Sequence, residues 1–573
     1  MTRLALALTA LMAALLGCRD PYQTPRFLGA GSVTPRRGGT LRFAYDADIA
    51  TTDPALTNDT VAGIPTRLMY EGLVNYAPGS AELVPALASG WRVSPDGRAF
   101  TFALRDNIRF ANGRAITCDD FVYSWERALD ARRLPSPGAE NFRLIEGFDA
   151  YRGGRAAHLS GLSCADSRHF VVRLTAADQT FLNVVAMRFA AAVPREVVEA
   201  MGDERFGREG LGAGPFVLER WEPNVRVVLR RNPYYYDAPR PWLDRVVFEL
   251  SVARHLQYMR FLAGELELAH TYSLSTADYV SVLRNPAWRP YVTRTPGATI
   301  GALLTNCEMP PFDNVHVRRA VTFAVDRDSL CRARNYRITP AATLYPPGIP
   351  GHRAQPPGAQ RFDLAAARRE LSLAGHPEGL ADEVELWIGD GDAGLVYGQL
   401  LQADLARIGI RVRIKQASNS VYYTSLGRRH TVKMAFTGWA MDYPDPSNFI
   451  EPNFHSRGIA EDGSSNHAFY RNPSLDALLD RAKIEGDRAR RLRMYQDAED
   501  ILLNDAPWTF MTTPVDVHVV QPYVRNFTPH PVWNEYVGDT WLDLPTRAFM
   551  LSESRRRSGY GPLAFLAASL GGL

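Results

Sequence analysis

Leu400-Leu401-Gln402-Ala403-Asp404-Leu405-Ala406-Arg407-Ile408-Gly409-Ile410-Arg411-Val412-Arg413-Ile414 holds a helix, a stop and a strand in one run. Leu400, Leu401, Leu405 and Ile408 recur at helical spacing, so one face is apolar and can be buried. Gly409 supplies the left-handed residue on which helices commonly end. Ile410, Val412 and Ile414 then alternate with Arg411 and Arg413, the period of a half-buried strand. A helix that passes directly into a strand predicts an α/β protein.

The same mixture continues outward. Val315, Val317, Ala320, Val321, Ala324 and Val325 form a second amphipathic stripe. Farther upstream Thr117 reads as a helix N-cap, with Asp119 and Asp120 in the first turn, where the helix dipole favours acids. Phe121, Val122, Trp125, Ala128 and Leu129 follow on the inner face of that helix. Before it, Phe100, Phe102 and Leu104 alternate after the turn Ser94-Pro95-Asp96-Gly97. Gly38-Gly39-Thr40-Leu41-Arg42-Phe43-Ala44-Tyr45 reads as an opening strand, and Thr52-Asp53-Pro54-Ala55 as a turn. Downstream, Asn472-Pro473 is a cap followed by Pro at the first helical position. No repeat period is visible.

The 573 residues exceed what one core usually serves, so two or three lobes are expected. Hydrophobic content of 46% and charged content of 22% are globular values. A formal charge of +3 is too near neutral for a nucleic-acid partner, which needs a basic surface. Arg555-Arg556-Arg557 reads as part of a solvated tail.

Arg3 precedes an apolar run, Leu4 to Leu16, that is too short to span a bilayer and reads as an export signal. It ends in Leu15-Leu16-Gly17-Cys18, which resembles a bacterial lipobox, so lipidation at Cys18 is expected, with residues 1–17 as the leader. Residues 18–37 read as a flexible tether. Five cysteines are present. With Cys18 acylated, four remain and allow three pairings. Cys118–Cys164 and Cys307–Cys331 would each close a local loop, and free buried thiols are the alternative. No Cys/His spacing suggests zinc.

Several blocks, in order along the chain, resemble the periplasmic oligopeptide- and dipeptide-binding proteins of ABC importers, the bacterial extracellular solute-binding proteins of family 5. They include Tyr70-Glu71-Gly72-Leu73-Val74, Leu83-Val84-Pro85-Ala86-Leu87-Ala88, Asp120-Phe121-Val122-Tyr123-Ser124-Trp125-Glu126-Arg127 and Gly212-Ala213-Gly214-Pro215-Phe216. Arg231-Asn232-Pro233-Tyr234-Tyr235, Pro311-Phe312-Asp313-Asn314 and Gly438-Trp439-Ala440-Met441-Asp442-Tyr443-Pro444-Asp445-Pro446 complete the set. The resemblance implies a two-lobed α/β periplasmic binding protein fold, type II and cluster C-like, with an inserted third domain and a ligand cleft between lobes. Lobe I would comprise 38–70, 196–298 and 510–546, the inserted domain 71–195 and lobe III 299–509, leaving 547–573 as a C-terminal tail. The lobes would close on a hinge.

A peptide is held independently of its sequence by gripping its backbone and charged ends. By its place in the Gly-Trp-x-x-Asp block, Asp442 is expected to grip the ligand amine, the alternative being that it caps a turn before Pro444. Trp439 is expected to wall the cleft, with Gly438, Met441 and Tyr443 beside it. Arg428, Arg429 and His430 lie where some relatives set cationic groups against the ligand. The pocket also departs from the best-known oligopeptide binders. Asn58 stands where they carry a second acid, Phe436 replaces an Arg, and a ligand-contacting tyrosine falls near Pro137 or Gly138. Ala440 stands where some carry a cysteine.

The partners implied are a peptide-like ligand and the subunits of an ABC permease, with the protein itself a monomer and no cofactor. Sugar, nickel-chelate or opine-like ligands, or peptide sensing and chaperoning, are the alternatives on the same scaffold. Neither G-x-S-x-G, H-E-x-x-H nor G-x-x-x-x-G-K-[ST] occurs, so an enzyme is not expected.

Overall fold

Thr40–Ala44 pairs in parallel with Arg245–Glu249, which continues antiparallel through Arg226–Arg231 to Phe216–Glu222. Leu41, Phe43, Leu229 and Phe248 from this sheet share a core with Tyr523 and Leu542, so distant parts of the chain close one lobe. The coordinates are a computed structural model that describes residues 34–550 apart from 58, 272, 391 and 549. The expected leader, Cys18, Asn58 and the tail beyond 550 lie outside the described residues.

A second core belongs to an antiparallel four-stranded sheet ordered Ala88–Val93, Ala99–Leu104, His169–Arg173, Leu162–Asp166. The helix Cys118–Leu129 covers it. Asp120 accepts the Thr117 N–H at 2.9 Å, fixing the helix start. Phe121 and Trp125 pack their rings 5.8 and 5.1 Å from Phe170. Cys118 and Cys164 form a disulfide that ties the helix start to the edge strand. Cys307 and Cys331 are free thiols, and they pack against different cores, so the second local pairing is not made.

The quoted run lies in the other lobe. Helix Asp392–Ala406 is followed by Gly409 at φ +78° and strand Val412–Gln416. A Cβ at Gly409 would lie 2.4 Å from the Glu378 carbonyl oxygen, so the stop also needs a bare backbone. The sheet runs Thr299–Thr305, Met434–Ala440, Val384–Ile388, Val412–Gln416. Leu401, Leu405 and Ile408 fill the core on one face, and Phe449, Tyr495 and Leu502 fill the core on the other.

Two antiparallel strands join the lobes. Trp508–Val520 pairs with Thr299–Thr305 at its start and with Val292–Pro296 at its end. Trp508 and Phe510 belong to one lobe's core, while Val515, Val517 and Val519 pack with Phe261 and Trp288 of the other. Backbone pairing thus continues across the connection while core membership changes, so these strands are where the expected hinge between the lobes would lie.

Candidate functional site

A cavity of about 590 Å³ opens where the three bodies and the hinge meet. That volume is in the roughly 300–1,000 Å³ range of small-ligand sites. Its floor is the hinge, through Ala298, Thr299, Pro514 and Asp516. One wall is the segment Ala440–Asp442, and the other carries Thr60, Arg67, Tyr76, Arg188 and Trp533.

Asp442 lies just past the end of the strand Met434–Ala440. Asn448 holds it on both sides: its Oδ1 accepts the Asp442 N–H at 2.8 Å and its amide donates to Asp442 Oδ2 at 3.1 Å. No cation pairs with this carboxylate among the described residues. Its side chain is open to cleft water, yet the cleft walls enclose it closely enough to matter electrostatically. Burial raises its pKa above the usual carboxylate value, while the Asn448 amide and the charge of Arg188 pull it back.

Three residues on, Asp445 has a different role. It caps the helix Pro446–Phe454 by accepting the Ser447 N–H at 2.9 Å, and it meets Arg491 in a two-fold ion pair at 2.7 Å. Both partners are buried. The helix cap in this segment is thus made by Asp445, not by Asp442.

The other expected site residues divide. Met441 lines the cavity, its N–H donating to Ala298 O at 3.0 Å. Trp439 does not line it: the indole N–H reaches Asn448 Oδ1 at 3.3 Å and the ring packs on the lobe core. Gly438 is a packing position, since a Cβ there would lie 2.6 Å from the Ile300 carbonyl oxygen. Tyr443 also lies off the cavity, its hydroxyl 3.5 Å from Ser447 Oγ. Arg428 pairs with Asp462 at 2.8 Å, and Arg429 with Glu308 and Glu461 at 2.7 and 2.6 Å. Neither of these arginines lines the cleft, because nearby acids hold them at the lobe surface. Phe436 stacks on Tyr397 at 4.7 Å and packs against the lobe core. Pro137, by contrast, does reach the cavity.

Local sequence gave no sign of Arg67, Arg188 or Trp533. Arg67 lies over the Trp533 ring at 5.5 Å, and Tyr76 meets that ring edge-on at 5.6 Å. Arg188 opens the short helix Arg188–Ala190, whose Phe189 and Ala190 pack in the core of the four-stranded sheet, and its Nε donates to Thr57 O at 2.6 Å. Burial lowers the pKa of both arginines, and each acidic neighbour opposes the shift. Among the described residues no group of His, Cys, Asp and Glu is arranged to hold a metal ion. No described helix is long and apolar enough to cross a membrane.

Residues 82–461 match the family described as bacterial extracellular solute-binding proteins, family 5 Middle. The chain is 26% identical over 518 residues to a probable di/tripeptide-binding protein 5 of Pseudomonas aeruginosa, covering 87% of this chain and 94% of that one. It is 28% identical over 500 residues to a probable deoxycholate-binding periplasmic protein of Escherichia coli, covering 86% and 91%. A solved structure titled clavulanic acid biosynthesis oligopeptide binding protein 2 superposes with a TM-score of 0.81 at 27% identity, covering 91% of this chain and all of the other.

Proposed function

The chain belongs to the bacterial extracellular solute-binding proteins of family 5, and we propose that it captures short peptides in its interlobe cleft and delivers them to an ABC import permease. As a family member it is a binding protein, not an enzyme. In this reading the protein is exported, acylated at Cys18 and held at a membrane while the lobes close on the ligand.

Membership does not choose the ligand, since relatives are named for di/tripeptides and for deoxycholate. The observation that carries the peptide reading is Asp442. Its carboxylate lines the cavity, is oriented by a single amide and forms no ion pair with a protein cation among the described residues. A carboxylate so held suits a ligand ammonium, which would form a charge-assisted bond about twice as strong as a neutral one. Deoxycholate has no amine to offer it.

Mass spectrometry of ligands released from protein purified without denaturation tests this. Short peptides are the expected species, and a steroid, sugar or metal chelate as the bound species would overturn the reading. Membrane attachment is tested separately: Cys18→Ser is expected to move the protein into the soluble envelope fraction.

A further inference from the structure

Arg67 and Arg188, both half-buried, differ from the fully buried arginines among the described residues. Arg127 meets Asp53 and Asp203, Arg491 meets Asp445, and Arg327 donates to the carbonyls of Ala341, Phe510 and Val325 and to Gln360. A guanidinium has five N–H donors. Arg188 uses one of them, toward Thr57 O, and Arg67 shows no hydrogen bond or ion pair among the described residues. Both line the cleft cavity.

Acids act on them only at a distance, Glu535 on Arg67 and Asp59 and Asp442 on Arg188, and among the described residues none forms an ion pair with either. Asp59 accepts the Ala62 N–H as a helix cap, and Glu535 faces His518 at 3.2 Å. Asp516 lies at the hinge and Asp442 on the opposite wall, and neither forms an ion pair with these arginines. The two guanidinium groups oppose each other's charge. The packing nevertheless accommodates them: Arg188 Nη1 rests on Gly63, where a Cβ would lie 3.1 Å away. An incompletely paired, half-buried charge is costly unless a partner arrives. Guanidinium groups are well matched to carboxylates, which they bind through paired N–H donors.

We propose that Arg67 and Arg188 form the subsite for the ligand's carboxylate, with Arg188 the main contact, so that the cleft selects zwitterions whose amine sits at Asp442. This rests on the peptide reading above and adds to it the second pole of the ligand. It also assigns the inserted domain, through Arg188, a direct part in selectivity. Closure then brings the two poles of the site onto the two poles of one molecule, which rewards a peptide with both ends free.

Titration calorimetry with trialanine, trialanine amide and N-acetyl-trialanine tests the assignment on the full-length protein. Wild type is expected to prefer the free acid to the amide by about ten- to a hundredfold, the worth of a hydrogen bond to a charged group. Arg188→Met should abolish that preference and keep the preference for the free amine, and Arg67→Met should reduce it. Asp442→Asn should do the converse. Each comparison sets two ligands against the same protein, so a partly unfolded variant does not distort the ratio. Removing an unpaired guanidinium should leave thermal unfolding of the empty protein unchanged or raise it. Equal binding of acid and amide by wild type, or an acid preference that survives Arg188→Met, overturns the subsite and leaves the amine grip standing. If wild type binds none of the three probes, the peptide reading fails and the subsite with it.

Discussion

Asp445 and Asp442 lie three residues apart and show how one segment serves two purposes. Asp445 is complete: it caps a helix and pairs twice with buried Arg491. Asp442 is incomplete: Asn448 orients it, and the charge it feels most, Arg188, belongs to another body across the cleft. The difference is not one of residue type or local spacing. It lies in what the rest of the chain brings to each carboxylate. Where the protein supplies the cation, the acid is structural. Where the protein supplies only an aligning amide, the carboxylate stays open, as the proposed role for a ligand ammonium requires.

The largest effect should come from breaking the complete pair. Asp445→Ala leaves Arg491 buried without its partner and removes a cap, so it should destabilise the empty protein by about 3–5 kcal/mol. Urea unfolding of the ligand-free protein checks this. A loss under about 1 kcal/mol would mean that the pair contributes no more than an exposed one. Asp442→Asn sharpens the contrast from the other side. The substitution keeps the shape and should leave unfolding within about 0.5 kcal/mol of wild type, as for sites without a partner. It should weaken trialanine binding by about 1.5–3 kcal/mol, as calorimetry would read. Unchanged affinity would remove Asp442 from the amine role.

Much of this could be read along the chain. The helix–glycine–strand run at 400–414 lies as its periodicity requires, and the block ending at Pro446 led to Asp442. What failed was facing and reach. Trp439 and Met441 both pack on the lobe core, but the strand ends at Ala440, and past that end Met441 and Asp442 also reach the cavity while Trp439 does not. Arg428 and Arg429 looked available only because their acids, Glu308, Glu461 and Asp462, come from other loops. Arg67, Arg188 and Trp533 come from three distant segments that only the assembled lobes bring together. No local pattern marks an arginine without an ion pair among the described residues, because that property is defined by everything else nearby.

The smallest effect is a pH dependence, and it rests on Asp442, for which binding and stability respond with opposite sign. Burial raises the pKa of Asp442 in the empty protein, so its carboxyl takes up a proton earlier on acidification than an ordinary one. An ammonium needs the ionised form. Affinity for trialanine should therefore be full near neutrality and fall as the pH drops through the raised pKa. At the alkaline end it should fall again as the peptide amine loses its proton above roughly pH 8. Stability responds in the opposite direction. An acid whose folded pKa lies above its unfolded one holds its proton more tightly when folded, so acidification through that window steadies the empty protein. Asp516 and Glu71, whose pKa values burial also raises, contribute in the same sense. The difference between wild type and Asp442→Asn isolates the share of Asp442. Calorimetry between pH 7 and about 4, with the variant alongside, should show the acid limb of binding flattened by the substitution. If the variant keeps the same acid limb, the titrating group is elsewhere in the cleft, and Asp442 would be a polar wall and not the ligand's counter-charge.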